Sequence, residues 1–219
     1  MRIYLQLSRN TQLIPFNYHQ YLAGAIHKWL GKNGEHGQIS LYSFSWIQNT
    51  KSTAKGIHLS PASYFFFSAH DELLLKKLLR GIRTDPEWAF GSRVTEVQIL
   101  PDKTFSNRER FTTASPVFIK RKGENNKEKH FTYEDQQCDL LLTETLKHKL
   151  QVAGISTEGV KIYFDRTYTK AKAKLSRYRS IHHKVSVCPV IIEGSPQQIS
   201  LAWNSGIGNS TGIGYGALS

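Results

Sequence analysis

The chain has 219 residues, 39% of them hydrophobic and 11% aromatic, which excludes a chain without a core and allows one large domain or two small ones. Lys and Arg number 29 against 17 Asp and Glu, for a formal charge of +12 and a pI near 9.7, and so one-sided an excess points to a polyanionic partner. No apolar stretch reaches the length of a membrane span, Arg2 and Gln6 interrupt any signal-like start, and Cys138 and Cys188 lack metal-ligand spacing. A reduced, cytoplasmic protein without membrane contact, metal or cofactor is the expectation.

Residues 1 to 7 alternate Ile3, Leu5 and Leu7 with Arg2, Tyr4 and Gln6, the period of a half-buried strand. A helix follows, capped by Asn17, with Leu22, Ala25, Ile26, Trp29 and Leu30 on one stripe and Gly31 as its left-handed stop. His27 lies off that stripe. The loop from Gly31 to Gly37 carries His36 and leads into a second strand from about Ile39 to Ile47. Lys51 to Pro61 reads as a hairpin, Tyr64 to Phe67 as a buried strand, Asp71 as the start of a helix bearing Leu74, Leu75, Leu78 and Leu79, and Arg93 to Leu100 as a closing strand. Strand, helix, strand, strand, helix, strand is the ferredoxin-like order.

Pro101-Asp102 breaks the pattern, and a similar order begins again near Arg108. Phe111 to Lys120 is a predicted strand, Glu134 to Gln151 a helix with Leu141, Leu142 and Leu146 inward, and Val160 to Tyr168 and Val185 to Ile192 two more strands. Between that pair lies RTYTKAKAKLSRYRSIHHK, Arg166 to Lys184, and from Lys161 to Lys184 eight Lys or Arg face one acid, Asp165. Such a basic hairpin, interleaved with Tyr168 and Tyr178, suits phosphate contact and base stacking. Its candidate RNA-binding residues are Arg166, Lys170, Lys172, Lys174, Arg177 and Arg179. The prediction is an α+β protein of tandem ferredoxin-like (RRM-like) βαββαβ units, residues 1 to 100 and 101 to 219.

The chain ends in a short helix, with Ser195 as cap and Pro196 at its first position, and then in GIGNSTGIGYG, Gly206 to Gly216. Five of those eleven residues are glycine, and the stretch fits neither a dinucleotide loop nor a P-loop, which needs Gly-Lys-Ser/Thr. Ile207, Ile213, Tyr215 and Leu218 alternate with its small residues, unlike a polar linker. Glycine lets another backbone come close, so Gly206, Gly208, Gly212, Gly214 and Gly216 make a stretch built to be touched; where the partner is RNA, they are its candidate contacts and their N–H groups would face phosphate oxygens.

The Met-Arg-Ile start, the helix Tyr18-His19-Gln20-Tyr21-Leu22 running to Ile26-His27, Leu41-Tyr42-Ser43, Thr113-Ala114-Ser115-Pro116-Val117 and the terminal glycine loop together resemble the CRISPR-associated repeat-cleaving endoribonucleases of the repeat-associated mysterious protein superfamily. The resemblance spans nearly the whole chain. It implies metal-independent cutting of precursor CRISPR RNA within each repeat, often with retention of the product. The partner it implies is CRISPR repeat RNA, with other effector-complex subunits or a second copy of the chain as further candidates. A non-catalytic RNA-binding subunit of the same superfamily is the alternative.

RNA can be cut without metal because its own 2′-hydroxyl is the nucleophile; the protein supplies a base, an acid for the 5′-oxygen, and donors for the charge developing on the phosphate. Histidine suits both proton roles. By the resemblance, His36, just after the first helix, takes the place of the usual catalytic histidine, and His27, at the helix end, that of the second proton-handling residue. Where many members have a lysine before the second strand this chain has Gln38, which leaves Lys28 and Lys32 as the nearest cations in sequence.

Overall fold

The structure, a computed structural model, describes residues 1–31, 39–123 and 127–219. The first strand, β1 (Arg2–Leu7), is the centre of the first unit, and its alternation decides which way it faces. Ile3, Leu5 and Leu7 are at most 1% exposed, each worth about 1.5–3 kcal/mol of burial, so a one-residue slip would turn all three outward. They lie under α1 (His19–Leu30) and α2 (Glu72–Thr84), which present Leu22, Ile26, Trp29, Leu74, Leu75 and Leu78 to the same core. Asp71 caps α2 by accepting from Leu73 N; α1 has no side-chain cap, its N-cap being Tyr18 rather than Asn17, and stops at Gly31 with φ 64°.

The sheet runs β2 (Tyr42–Phe44), β5 (Tyr64–Ala69), β1, β7 (Ser92–Leu100), β6 (Glu87–Ala89), all antiparallel. Without the short β6, which the sequence did not signal, this is the ferredoxin-like order. The hairpin expected from Lys51 to Pro61 is β3 (Lys51–Ser52) with β4 (Ile57–His58). The strand expected from Ile39 to Ile47 shortens to β2, although Ser45 N and Gln48 N still reach Phe66 O and Tyr64 O.

The second unit repeats the plan with two insertions. Its sheet is β11 (Lys161–Phe164), β14 (Val190–Glu193), β8 (Arg108–Phe111), and the fourth position is filled by the C-terminus, where Thr112 and Ser219 exchange N–H···O bonds of 2.9 Å. The hairpin β9 (Ile119–Lys122) and β10 (Glu128–Phe131) is inserted before α3 (Cys138–Val152), and β12 (Lys172–Tyr178) with β13 (Ile181–Val187) before β14. Two prolines explain where single predicted strands divide: Pro116 lies between β8 and β9, Pro189 between β13 and β14, and neither can donate to a ladder. The last helix, α4 (Pro196–Ser205), has the expected Ser195 cap, completed into a capping box by Gln198.

Each unit has its own apolar core. A third cluster of Phe118, Val185 and Tyr215, with Trp46 and Ile213 packed against it, joins residues of both halves. Arg2 ties them from the far side, its guanidinium 3.8 Å from the Phe66 ring centre and 3.5 Å from that of Trp203, with Nη2 donating to Leu218 O at 2.9 Å. The glycine loop runs through this junction.

Candidate functional site

The last turn of α1 carries His27 to the glycine loop. Its Nε2 lies 2.9 Å from Gly212 O, and the Tyr42 hydroxyl of β2 is 3.4 Å from both. A carbonyl only accepts, so this contact puts a proton on Nε2. His36, Lys32 and Gln38 lie outside the described residues. Gly31 ends α1 four residues beyond His27, and Ser40 O, on the return into β2, accepts from Thr211 Oγ1 at 3.4 Å. Lys28, about 100° further round the helix, reaches the other way and pairs with Asp85 at 2.7 Å. The structure therefore brings His27 to the loop and holds Lys28 in a salt bridge instead.

Glycine loop residues Thr211–Ile213 form a 3-10 turn between Ser210 (φ 60°) and Gly214 (φ 93°). All five glycines are buried, and the protein itself surrounds them. A Cβ on Gly214 would lie 2.7 Å from Phe44 Cε2, and one on Gly208 2.6 Å from Phe118 O. Several N–H groups are also spent internally: Ile207 N on Gly216 O, Asn209 N on Phe118 O, Gly216 N on Pro116 O, and Gly214 N on Thr211 O. At these positions the expectation of N–H groups turned toward phosphate is corrected to one of packing between strands. Only the tip, Asn209 and Ser210 with Ile213, is partly open.

Beneath the loop stands Lys149 of α3, 1% exposed. Its Nζ donates to Ser205 O at 2.7 Å, Gly206 O at 3.0 Å and Thr211 Oγ1 at 3.0 Å. Three acceptors match the three protons of an ammonium, while burial pushes its pKa down to about 7. The amine thereby ties the end of α4 to Thr211, the neighbour of the carbonyl that holds His27.

The basic hairpin is β12–β13, as expected, and its two faces differ. Ser176 and His183 turn inward, where the Tyr215 hydroxyl is 3.1 Å from Ser176 Oγ, 3.0 Å from His183 Nδ1 and 3.3 Å from His19 Nε2. Lys174 Nζ sits 4.4 Å from the centre of the Trp46 ring, and Arg179 N donates to Gln20 Oε1 of α1 at 2.9 Å. The hairpin thus straps the second unit to α1. Lys170, Lys172, Arg177 and Arg179 have exposed side chains. Arg166 is engaged below, donating to Tyr133 O at 2.9 Å and pairing with Asp139 at 2.5 Å.

Residues 100–219 match the family model described as CRISPR associated protein Cas6, C-terminal. The chain belongs to the Cas6 family. Among solved structures, one titled "CRISPR associated protein Cas6" superposes with a TM-score of 0.83 at 22% identity, covering 100% of this chain and 98% of that one. A Cas6-related protein from Pyrococcus furiosus gives 0.84 at 23% identity, with coverage of 100% and 97%. A third, titled "An RAMP protein binding different RNA substrates", gives 0.82 at 22%, with coverage of 100% and 98%. At these identities the likeness is one of fold, the tandem ferredoxin-like arrangement. No curated protein matches the chain.

Membership places the chain among Cas6 proteins, which process or bind CRISPR RNA, and among the described residues no helix is long and apolar enough to cross a membrane. Three residues of this candidate site were not singled out from the sequence as its parts: Tyr42, Lys149 and Tyr215. Lys149 had a signal, because continuing the inward stripe of α3 from Leu142 and Leu146 lands on it, and a charge on an apolar face asks for partners. Nothing local marks Tyr42, whose partners come from α1 and the C-terminus.

Proposed function

We propose that the chain is an endoribonuclease that cuts precursor CRISPR RNA within its repeat without a metal ion. The 2′-hydroxyl attacks the adjacent phosphate, the 5′-oxygen leaves, and the ends are a 2′,3′-cyclic phosphate and a 5′-hydroxyl; the product stays bound. The observation that supports this best is the setting of His27, fixed by a 2.9 Å contact to Gly212 O beside Tyr42, with Ser40 bonded to the neighbouring Thr211. In this reading His27 and His36 share the proton transfers, and Tyr42 helps to orient His27. Residues 1 to 100 and 101 to 219 act as two domains, and exposed Lys170, Lys172, Arg177 and Arg179 contact phosphates. A second copy or further effector subunits are candidate partners.

The ends of the product test the chemistry. Repeat RNA labelled at either end and incubated in EDTA should give one cut with a cyclic phosphate, and a 2′-deoxy nucleotide 5′ of the cut should abolish cleavage while leaving binding intact. Cutting of the deoxy substrate would remove the 2′-hydroxyl mechanism. A second reading, RNA binding without cleavage, is favoured by Gln38 in place of a lysine and by the engagement of Lys28 with Asp85. It predicts binding of the same RNA and intact ends.

A further inference from the structure

Two cavities adjoin on the side of the glycine loop that faces α3. The larger, about 580 Å3, is lined by Ser40, Thr145, His148, Asn209 and Thr211, with Lys149 in its wall. The smaller, about 260 Å3, lies along β9 at Arg121 and Lys122 and shares Lys120 and Asn209 with the first. Lys120 N donates to Asn209 Oδ1 at 2.9 Å, so the loop tip and β9 form one continuous wall. At the mouth Ser210 holds a left-handed backbone, φ 60° and ψ 34°, a strained conformation for a non-glycine residue that collects at functional places.

We propose that the larger cavity takes one unpaired nucleotide of the RNA, next to the cut, and that the groove along β9 carries the phosphates that follow. This rests on the reading of the chain as an RNA-processing protein and adds a position for the flanking strand. Its volume falls within the range of about 300–1,000 Å3 typical of small-molecule sites. Among the described residues its lining carries Lys120, His148 and Lys149 and no acid, and Glu128, which pairs with Lys120 at 2.5 Å, belongs to the smaller cavity; this balance suits an anionic ligand. The exposed imidazole of His148 offers a stacking face, and Asn209, Ser210 and Ser40 offer hydrogen bonds to a base edge, the combination by which splayed single-stranded bases are read. Thr211 lies in the cavity wall and next to Gly212, whose carbonyl holds His27, so the nucleotide in the cavity is a neighbour of the reacting phosphate. Lys122 is exposed, while Arg121 is anchored on Leu141 O and Glu144.

The experiment uses the full chain and a repeat RNA made uncleavable by a 2′-deoxy nucleotide at the cut, with 4-thiouridine placed at each position in turn. After irradiation and digestion, crosslinks from one or two adjacent positions beside the cut should map to residues 145–149 or 208–211. His148→Ala, a change at an exposed side chain, should weaken binding about tenfold, the worth of one stacked base, and should have no effect on RNA made abasic at that position. Crosslinks that map elsewhere, or a His148→Ala effect that persists with abasic RNA, would overturn the proposal and leave RNA binding as such in place. Failure of the chain to bind repeat RNA at all would overturn both.

Discussion

At the scale of single residues the decisive contacts are short and local. Gly214, a candidate RNA contact by sequence, is packed by its surroundings against Phe44. A valine there would force φ 93° on a β-branched residue and drive into Phe44. Overpacking of this kind costs about 1–3 kcal/mol before backbone strain is added, and each kcal/mol lowers Tm by roughly 2–4 °C in a chain of this size. Gly214→Val should therefore lower Tm by several degrees, and a native Tm in a thermal melt would contradict the packing described. Lys149→Met keeps the volume and removes the ammonium from Ser205 O, Gly206 O and Thr211 Oγ1. Since an unsatisfied buried acceptor costs about 1–3 kcal/mol, the variant should melt several degrees lower. It should also cut RNA more slowly at temperatures where it remains folded, because Gly212 O loses its buttress. Single-turnover rates on folded variant check the second effect.

At the scale of elements the basic hairpin divides into a docking face and an outer face. Lys174 and Arg166 are taken up by Trp46 and Asp139, so the residues to remove are Lys172 and Arg177. Their joint change to Ala should flatten the log–log dependence of affinity on salt by about 0.7 for each phosphate of single-stranded RNA that they neutralise, without lowering Tm. An unchanged slope would turn the hairpin's outer face away from the RNA. The hairpin was legible in the sequence because a charge run flanked by β-formers has few other solutions, and α2 and α4 were legible through their caps at Asp71 and Ser195. The strand expected from Phe111 to Lys120 was not legible as two pieces, although Pro116 stood in the middle of it. Its first part pairs with β14 and its second with β10, while the residues between reach the C-terminus and Ser186, so most of its partners are distant in sequence and no local pattern names them. The same limit hid the contacts of Tyr42 and the inward face of the hairpin, whereas His27 was named through the family resemblance of the α1 end, and the structure places it against Gly212 O.

At the scale of the molecule the two units meet through a buried network of His19, Tyr215, His183 and Ser176, with Trp46 stacked on His19 at 5.0 Å and Lys174 above Trp46. Burial, with His183 and Lys174 nearby as further positive groups, pushes the His19 pKa down to about 4. The unfolded chain takes up this proton below about pH 6.5 and the folded chain only near pH 4, so the unfolded state binds more protons between those values. The contribution of His19 is complete above pH 6.5 and is lost as pH falls toward 4. Denaturant unfolding across that range should show stability declining, less steeply in His19→Gln; an equal decline in the variant would assign the pH dependence to other groups. The same junction carries the glycine loop from α4 and Lys149 to the end of α1, which is why a site on the first unit depends on the last residues of the second. We propose that His27, held there, transfers a proton in RNA cleavage, and the single-turnover rate of His27→Ala, measured beside its RNA affinity, decides it. A rate lower by roughly 10²- to 10⁴-fold, the range for a general acid or base, with affinity nearly unchanged is the result expected; a wild-type rate, or a loss confined to affinity, would contradict it.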